Sequence, residues 1–289
     1  MLIVKISGGL GNQLFQYAFG QYVAKKLNIK VKYDFQTKIS ISNFTERELG
    51  LLNYNFRIEV AEPEYVKQMK FFSKGFCSRL ERKLVQKVPS LSKRYFVEDE
   101  LHKVILDKEL RDDCYYDGYW QSFKYLEVNN EFLHNKIRSK NLSVGNEKLK
   151  EKISLSNSIS LHVRRGDYIS IKKNSDIFNI CDLNYYLAAI DLIEQKIDEP
   201  QYYIFSDDIE WAKANFVESK FYFVEGNTPE EDLYLMSLCK YNIIANSTFS
   251  WWAAWLNNNI TKEIICPKHW YVNGDNSLKE FIPESWIRM

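Results

Sequence analysis

Three stretches of this chain gather residue types that could do chemistry. The first is Gly8-Gly9-Leu10-Gly11-Asn12, set between an aliphatic run and apolar residues at helical spacing. A glycine turn at a helix start exposes backbone N–H groups, which suit an anion or a closely approaching ligand. Asp34 lies about where a dinucleotide-binding unit keeps its acidic residue, yet the fingerprint's third glycine would fall at Leu14. A plain strand-to-helix turn accounts for these residues equally well. The second stretch is His162-Val163-Arg164-Arg165-Gly166-Asp167. Residues two apart on a strand share a face, so His162 and Arg164 project together. Arg165-Gly166-Asp167 then falls at the strand's carboxyl end, where open α/β sheets bind ligands. Two guanidiniums there match a diphosphate, because each is a planar fork of donors that keeps its charge. The plainer alternative pairs Arg165 with Asp167 on a surface loop, with His162 satisfied behind it. The third stretch runs through Asn246-Ser247-Thr248-Phe249-Ser250. A strand ending in Asn-Ser-Thr before a helix places hydroxyls and N–H groups where a phosphate could sit. Simple N-capping by Ser247 or Ser250 would leave the same pattern.

Other residues read more blandly. Trp251, Trp252 and Trp255 are assigned to packing, and Asp207 with Glu210 to a capping box. No two aspartates are separated by one position, and His102, His134, His162 and His269 lack metal-ligand spacing. Neither a GxSxG elbow nor a P-loop occurs. What is left is a chemistry of arginines and backbone donors, with no metal and no cofactor.

These residues need a frame, and the second half of the chain supplies one. Strands are expected around 159–163, 201–205, 221–224, 241–245 and 262–266, and helices at 183–195, 208–216, 229–240 and 250–256. Such alternation means βαβ units and a parallel sheet. Thr228-Pro229-Glu230-Glu231 is a helix start with an N-cap, a proline at the first position and a capping-box glutamate. The first half opens the same way: strand 2–6, a helix carrying Leu14, Phe15, Ala18, Phe19, Tyr22 and Val23, then strand 30–35. The pattern blurs from 40 to 100. The polar segment 139–158 is the expected linker, with a short helix at 146–153. The expected architecture is α/β, two facing Rossmann-like domains over 1–145 and 146–289.

Composition narrows the classes. The 289 residues fit one large domain or two of average size. A net charge of +1 gives no bulk electrostatic case for nucleic acid. The 7 Trp, 19 Tyr and 18 Phe hint at stacking on a base or sugar ring. Five cysteines without a CxxC pair support neither a disulfide framework nor a zinc knuckle. With no signal-peptide pattern and no long apolar run, the reading is a soluble protein of a reducing compartment.

Together the motifs resemble the α-1,2-fucosyltransferase family, glycosyltransferase family 11, in its bacterial form. The match rests on Gly8-Gly9-Leu10-Gly11-Asn12-Gln13-Leu14-Phe15-Gln16-Tyr17-Ala18, on His162-Val163-Arg164-Arg165-Gly166-Asp167-Tyr168, and on Glu231-Asp232-Leu233 through Ser247-Thr248-Phe249-Ser250-Trp251-Trp252-Ala253-Ala254. A weaker block is Asp117-Gly118-Tyr119-Trp120-Gln121-Ser122. The resemblance implies a GT-B fold and metal-independent, inverting transfer of L-fucose from GDP-β-L-fucose to O2 of a terminal β-galactoside. The C-terminal domain would bind the GDP-sugar and the N-terminal one the acceptor. Arg164 and Arg165 would hold the β-phosphate, with His162 beside the nucleotide and Asn12 approaching the donor. Gly9, Gly11, Asp167, Ser247, Thr248 and Phe249 are placed with the donor, and Asp232 would accept guanine N–H groups. Read without the resemblance, Asp232 is an ordinary surface helix residue.

Inversion normally calls for a general base, and Asp34, Glu46 and Asp117 are candidates, or acceptor contacts, by residue type. Residues 70–94 carry Lys70, Lys74, Arg79, Arg82, Lys83, Lys87, Lys93 and Arg94 against Glu81 alone, interleaved with apolar residues. Such a stretch can rest on an anionic membrane, as would suit a lipid-linked acceptor; a solvated helix face is the alternative. The expected setting is cytoplasmic, peripheral to the inner face of the plasma membrane, in polysaccharide synthesis. The rival functions are another GDP-sugar transferase on the same fold, a nicotinamide oxidoreductase using Gly8–Gly11 with Asp34, and a non-catalytic sugar-binding protein.

Overall fold

The computed structural model describes residues 1–35, 49–70, 94–98, 100–127, 130–138, 142–166, 169, 176–272 and 278–289. The chain divides into two compact units, Met1–Asn135 with Ser277–Ile282, and Lys136–Asn276 with Pro283–Met289.

In the first unit, β1 (Leu2–Ile6), α1 (Leu10–Leu27) and β2 (Val31–Phe35) follow the hydrophobic pattern. α2 (Pro63–Lys70), β3 (Tyr95–Val97) and β4 (Cys114–Asp117) complete a parallel sheet of order β2-β1-β4-β3. The apolar positions expected of α1, Leu14, Phe15, Ala18, Phe19, Tyr22 and Val23, are all buried. Burying each of the Leu, Phe and Val side chains among them contributes about 1.5–3 kcal/mol before entropy is counted. The helix stops at Asn28, in the left-handed region at φ 52°, where the Ile29 N–H closes on the Ala24 carbonyl at 3.0 Å. Gly20 sits where α1 meets β2: a Cβ there would lie 2.8 Å from the buried Tyr33 ring. That ring's hydroxyl donates to the Tyr17 carbonyl at 3.0 Å.

The second unit starts within α3 (Asn130–Arg138) and continues through α4 (Val144–Leu155), β5 (Asn157–Val163), α5 (Leu183–Glu194), β6 (Pro200–Ser206), α6 (Ile209–Asn215) and β7 (Phe221–Phe223). It ends with α7 (Pro229–Leu238), β8 (Tyr241–Ile243), α8 (Thr248–Trp255), β9 (Ile264–Cys266) and β10 (Ile287–Arg288). The six strands are parallel in the order β10-β9-β8-β5-β6-β7. Central β5 carries Ile159, Leu161 and Val163 into a core with Tyr186, Ala189, Ile190 and Ile193 of α5. α7 starts as its sequence dictates: Thr228 Oγ1 accepts the Glu231 N–H at 3.4 Å, and Glu231 accepts the Thr228 N–H at 3.1 Å.

Two expectations need revision. The polar segment 139–158 is not chiefly linker, since α4 fills 144–155 with only Asn146, Leu149 and Ile153 buried. Asp207 does not cap α6. Asp208 is the N-cap and accepts the Trp211 N–H at 3.3 Å, which leaves Asp207 for another partner. The described cysteines, Cys114, Cys181, Cys239 and Cys266, are buried and free. Among the described residues no helix is long and apolar enough to cross a membrane.

Candidate active site

In the second sheet, connections run from β5 outward through β6 and β7, then return to β8 on β5's other side. The order therefore reverses between β5 and β8, and a crevice opens at the carboxyl ends of such a pair. The loop after β5 begins with Arg164, and the loop after β8 leads through Asn246-Ser247 into α8. Sequence-predicted residues meet across this line: the His162 and Phe249 rings lie 5.6 Å apart.

The arginines are held by the end of the next strand. Val163 pairs with Ser206 in the ladder, so Asp207 and Asp208 emerge beside Arg164 and Arg165. Arg164 Nη1 lies 2.9 Å from Asp207 Oδ2, and the Arg165 backbone N–H donates to Asp207 Oδ1 at 2.9 Å. Arg165 Nε reaches Asp208 at 3.3 Å, and its guanidinium lies over the Trp211 ring at 4.2 Å. Gly166 makes room for this arrangement, since a Cβ there would fall 2.8 Å from Asp207 Oδ2. So Arg165 pairs with Asp208, while Asp167 lies outside the described residues. Both guanidiniums keep about a fifth of their side-chain surface open, so they are fixed in direction yet reachable.

His162 is buried, and its Nδ1 has no hydrogen-bond partner among the described residues. Burial pushes its pKa down to about 4, against the pull of the Asp207 carboxylate, so the ring is neutral at physiological pH. Ser247 is the N-cap of α8 and accepts the Phe249 N–H at 3.3 Å. The serine thus caps the helix, as the plainer alternative expected. Thr248, at the first helical position, is partly exposed. Trp251 and Trp252 are fully buried and are packing, as their spacing suggested.

Asp232 is not the surface residue its helix position suggests. Burial raises its carboxyl to about 6, partly offset by the Asn227 amide, which donates at 2.9 Å. Asn227 in turn accepts from Asn146 Nδ2 at 2.9 Å, tying the start of α7 to α4. Beside it, burial opposes ionisation of Glu231, but bonds from Asn146 and the Thr228 and Ser143 backbones win and hold it near 2.

The glycine turn of the first unit lies at that sheet's own reversal point, between β1 and β4. Gly8 takes φ +80°, and a Cβ there would meet Asn12 Nδ2 at 2.8 Å. Gly9 is the helix N-cap, with no side-chain capping bond. Two buried glutamines that sequence reasoning passed over organise the turn. Gln16 accepts the Ser7 N–H at 2.8 Å and donates to the Gly118 carbonyl at 2.9 Å, while Gln13 donates to the Gly8 carbonyl at 2.8 Å. Gln121 donates to Asn12 Oδ1 at 2.9 Å. The loops after β1 and β4 are thus stitched together, and Leu14 is fully buried where a dinucleotide-binding turn wants glycine. Their signal was already in the sequence: two glutamines on an otherwise apolar helix face.

Asp34 and Asp117 sit at the carboxyl ends of β2 and β4, each engaged by a lysine and a tyrosine. Glu46 lies outside the described residues. So does most of the basic stretch, residues 71–93. Of its described ends, Lys70 lies 3.5 Å from Asp34 and Arg94 pairs with Asp113 at 2.6 Å. Among the described residues no group of three or more His, Cys, Asp or Glu is placed to hold a metal.

The chain is similar to known proteins in sequence and in fold. The model of the family described as Glycosyl transferase family 11 matches residues 1–287. An Alpha-1,2-colitosyltransferase of Escherichia coli is 32% identical over 297 residues, covering 100% of this chain and 99% of that protein. The O-antigen biosynthesis glycosyltransferase WbnK of Escherichia coli is 30% identical over 301 residues, covering 98% and 99%. The human Galactoside alpha-(1,2)-fucosyltransferase 1 is 28% identical over 132 residues, 44% of this chain and 35% of that one. Among solved structures, fucosyltransferase NodZ from Bradyrhizobium gives a TM-score of 0.51 at 13% identity, covering 88% of this chain and 91% of that one. NodZ alpha-1,6-fucosyltransferase co-crystallised with GDP gives 0.52 at 14% identity, covering 87% and 91%. At that identity the likeness speaks for the fold, an α/β fold of GT-B type built on parallel sheets, as the resemblance implied. With its family model matched almost end to end, the chain is a glycosyltransferase of family 11.

Proposed function

We propose that this enzyme transfers L-fucose from GDP-β-L-fucose to O2 of a terminal β-galactoside, with inversion and without a metal ion. The observation that carries the reading is the pair of arginines braced by Asp207 and Asp208 at the reversal point of the second sheet. Breaking the sugar–phosphate bond builds cationic character on the sugar and negative charge on GDP. Guanidiniums already fixed in direction stabilise that charge without reorganising, a contribution of about 3–4 kcal/mol for one contact in a dry site. Arg164 and Arg165 take the β-phosphate, with His162, Ser247, Thr248 and Phe249 around it. Asp232 accepts the guanine N–H groups. The second unit holds the donor, and the first, with Asn12 and the Gly9–Gly11 turn, serves the acceptor side.

A colitosyl donor is the second reading, favoured by the full-length likeness at 32% identity to a colitosyltransferase. The test is GDP release from GDP-fucose with lactose in EDTA, the product's linkage read by NMR. The expected result is lactose-dependent release, an α-fucose on galactose O2, and no turnover by Arg164→Ala although it still folds. Retained turnover by that variant would sink the mechanism. Donor binding without transfer to lactose would move the search to other acceptors, and transfer only from a colitosyl donor would favour the second reading.

A further inference from the structure

Six titratable side chains meet on one face of the first sheet, beneath the end of α2. Lys5 and Tyr95 hold Asp117: the ammonium lies 2.8 Å from Oδ1, and the phenol donates to Oδ2 at 2.7 Å. Tyr115 and Lys70 hold Asp34, and both bind the same oxygen, Oδ2, at 2.7 and 3.5 Å. Lys70 is also fixed over the Tyr115 ring at 4.0 Å. The two carboxylates therefore differ in what they leave open. Each oxygen of Asp117 already accepts from a cation or a phenol. Asp34 has Oδ1 without a partner among the described residues, and its side chain keeps 15% of its surface exposed. A base needs an unoccupied oxygen, held in direction and able to meet a hydroxyl, and a close ammonium weakens it; the ammonium is 3.5 Å from Asp34 against 2.8 Å from Asp117. The position suits the task too, because Asp34 lies next to the carboxyl end of its strand, the end at which open α/β sheets take ligands.

We propose that Asp34 is the general base of the transfer, with Tyr115 and Lys70 positioning it and Asp117 serving as a structural anchor. This rests on the fucosyl-transfer reading. In the step, the acceptor hydroxyl oxygen bonds to the sugar's anomeric carbon while its proton passes to Asp34 Oδ1. The bond from that carbon to the phosphate oxygen breaks, and its electron pair leaves with GDP. Asp34 later returns the proton to water, so no co-reactant is needed.

The experiment compares Asp34→Asn, Asp117→Asn and Tyr115→Phe in steady-state transfer from GDP-fucose to lactose, with GDP binding by calorimetry and melting curves alongside. Asp34→Asn should lower kcat about 100-fold or more while the dissociation constant for GDP stays within twofold. Formate should restore part of the turnover in Asp34→Gly, which no structural role predicts. Asp117→Asn should melt earlier yet keep kcat within about tenfold, and Tyr115→Phe should lower kcat with little change in KM. Turnover by folded Asp34→Asn within tenfold of wild type overturns the assignment. Should Asp34→Asn fail to fold, unchanged kcat in Tyr115→Phe together with no formate rescue overturns it as well. A wild-type chain that neither binds GDP nor transfers fucose removes the fucosyl-transfer reading, and this one with it; wild-type transfer with an indifferent Asp34 removes this one alone.

Discussion

Replacing Asp207 with Asn tests whether the arginines act because they are held. The carboxylate accepts from Arg164 through Oδ2 and from the Arg165 backbone through Oδ1, both at 2.9 Å. An amide cannot serve both, since one of its positions becomes a donor that faces a donor. The variant therefore loses one charge-assisted hydrogen bond and the charge itself. Such bonds contribute about 1.5–3 kcal/mol, and the pair's side-chain exposures of 20% and 25% screen the value toward the lower end. A loss of about 1.5–2 kcal/mol corresponds to roughly 10- to 30-fold in rate. It should fall mainly on kcat, because Arg164 meets a charge that exists fully only as the bond breaks. Asp208→Asn is the control. Its bond to Arg165 is longer at 3.3 Å, Arg165 keeps its place over Trp211, and Asn caps α6 as well as Asp does. That variant should lose less than about threefold. GDP release with acceptor present, with GDP calorimetry beside it, measures both. Asp207→Asn turning over within twofold of wild type would refute the argument. A rise would mean that the carboxylate competes with the donor for Arg164.

Asp232, raised to about 6, should make GDP affinity fall about tenfold per pH unit below 6, and Asp232→Asn should flatten that profile in calorimetry between pH 5 and 8; a flat wild-type profile removes Asp232 from the donor site. Stability should move the other way. The folded carboxyl titrates above its ordinary 3.8, so its favourable contribution is present below 3.8 and lost as pH rises through about 6, and Asp232→Asn should melt higher at pH 7.5. Gly20→Ala should lower the melting temperature although alanine favours a helix by about 1 kcal/mol, because its Cβ at 2.8 Å from Tyr33 overpacks a buried contact for about 1–3 kcal/mol. An unchanged or higher melting temperature would show that the ring gives way freely.

The second sheet was legible because its central strands are long enough to show a pattern and its helices carry strong caps. β3 and β4 were not, having three and four residues, and β10 has two. β7, β8 and β9 are as short, but helices with clear spacing or caps frame them in the sequence; the pattern offers β3 and β4 no such frame, and the pairing of β4 with β1 is a tertiary fact. α4 read as a linker because a helix lying on the surface buries few apolar residues. The two arginines could be found from residue type and place. Their braces could not, because Asp207 and Asp208 are equally good caps by composition, and only the ladder between β5 and β6 sets one of them opposite Arg164. Likewise the setting of Asp232 depends on a tertiary link, since the Asn227 amide that donates to it is itself tied to Asn146 of α4.

The chain passes between its units three times, at 135/136, 276/277 and 282/283. Phe281 returns to stack on His102 at 4.3 Å and to lie 5.9 Å from Phe15, so the first core is finished by residues that come almost last. A chain cut at 135/136 would thus part the first unit from residues 277–282, which stay with the second. Exchange of units between relatives faces the same arithmetic. A chimera joined at one junction would close the core of one parent with the strap of the other, and recombination that respects both cores needs three junctions.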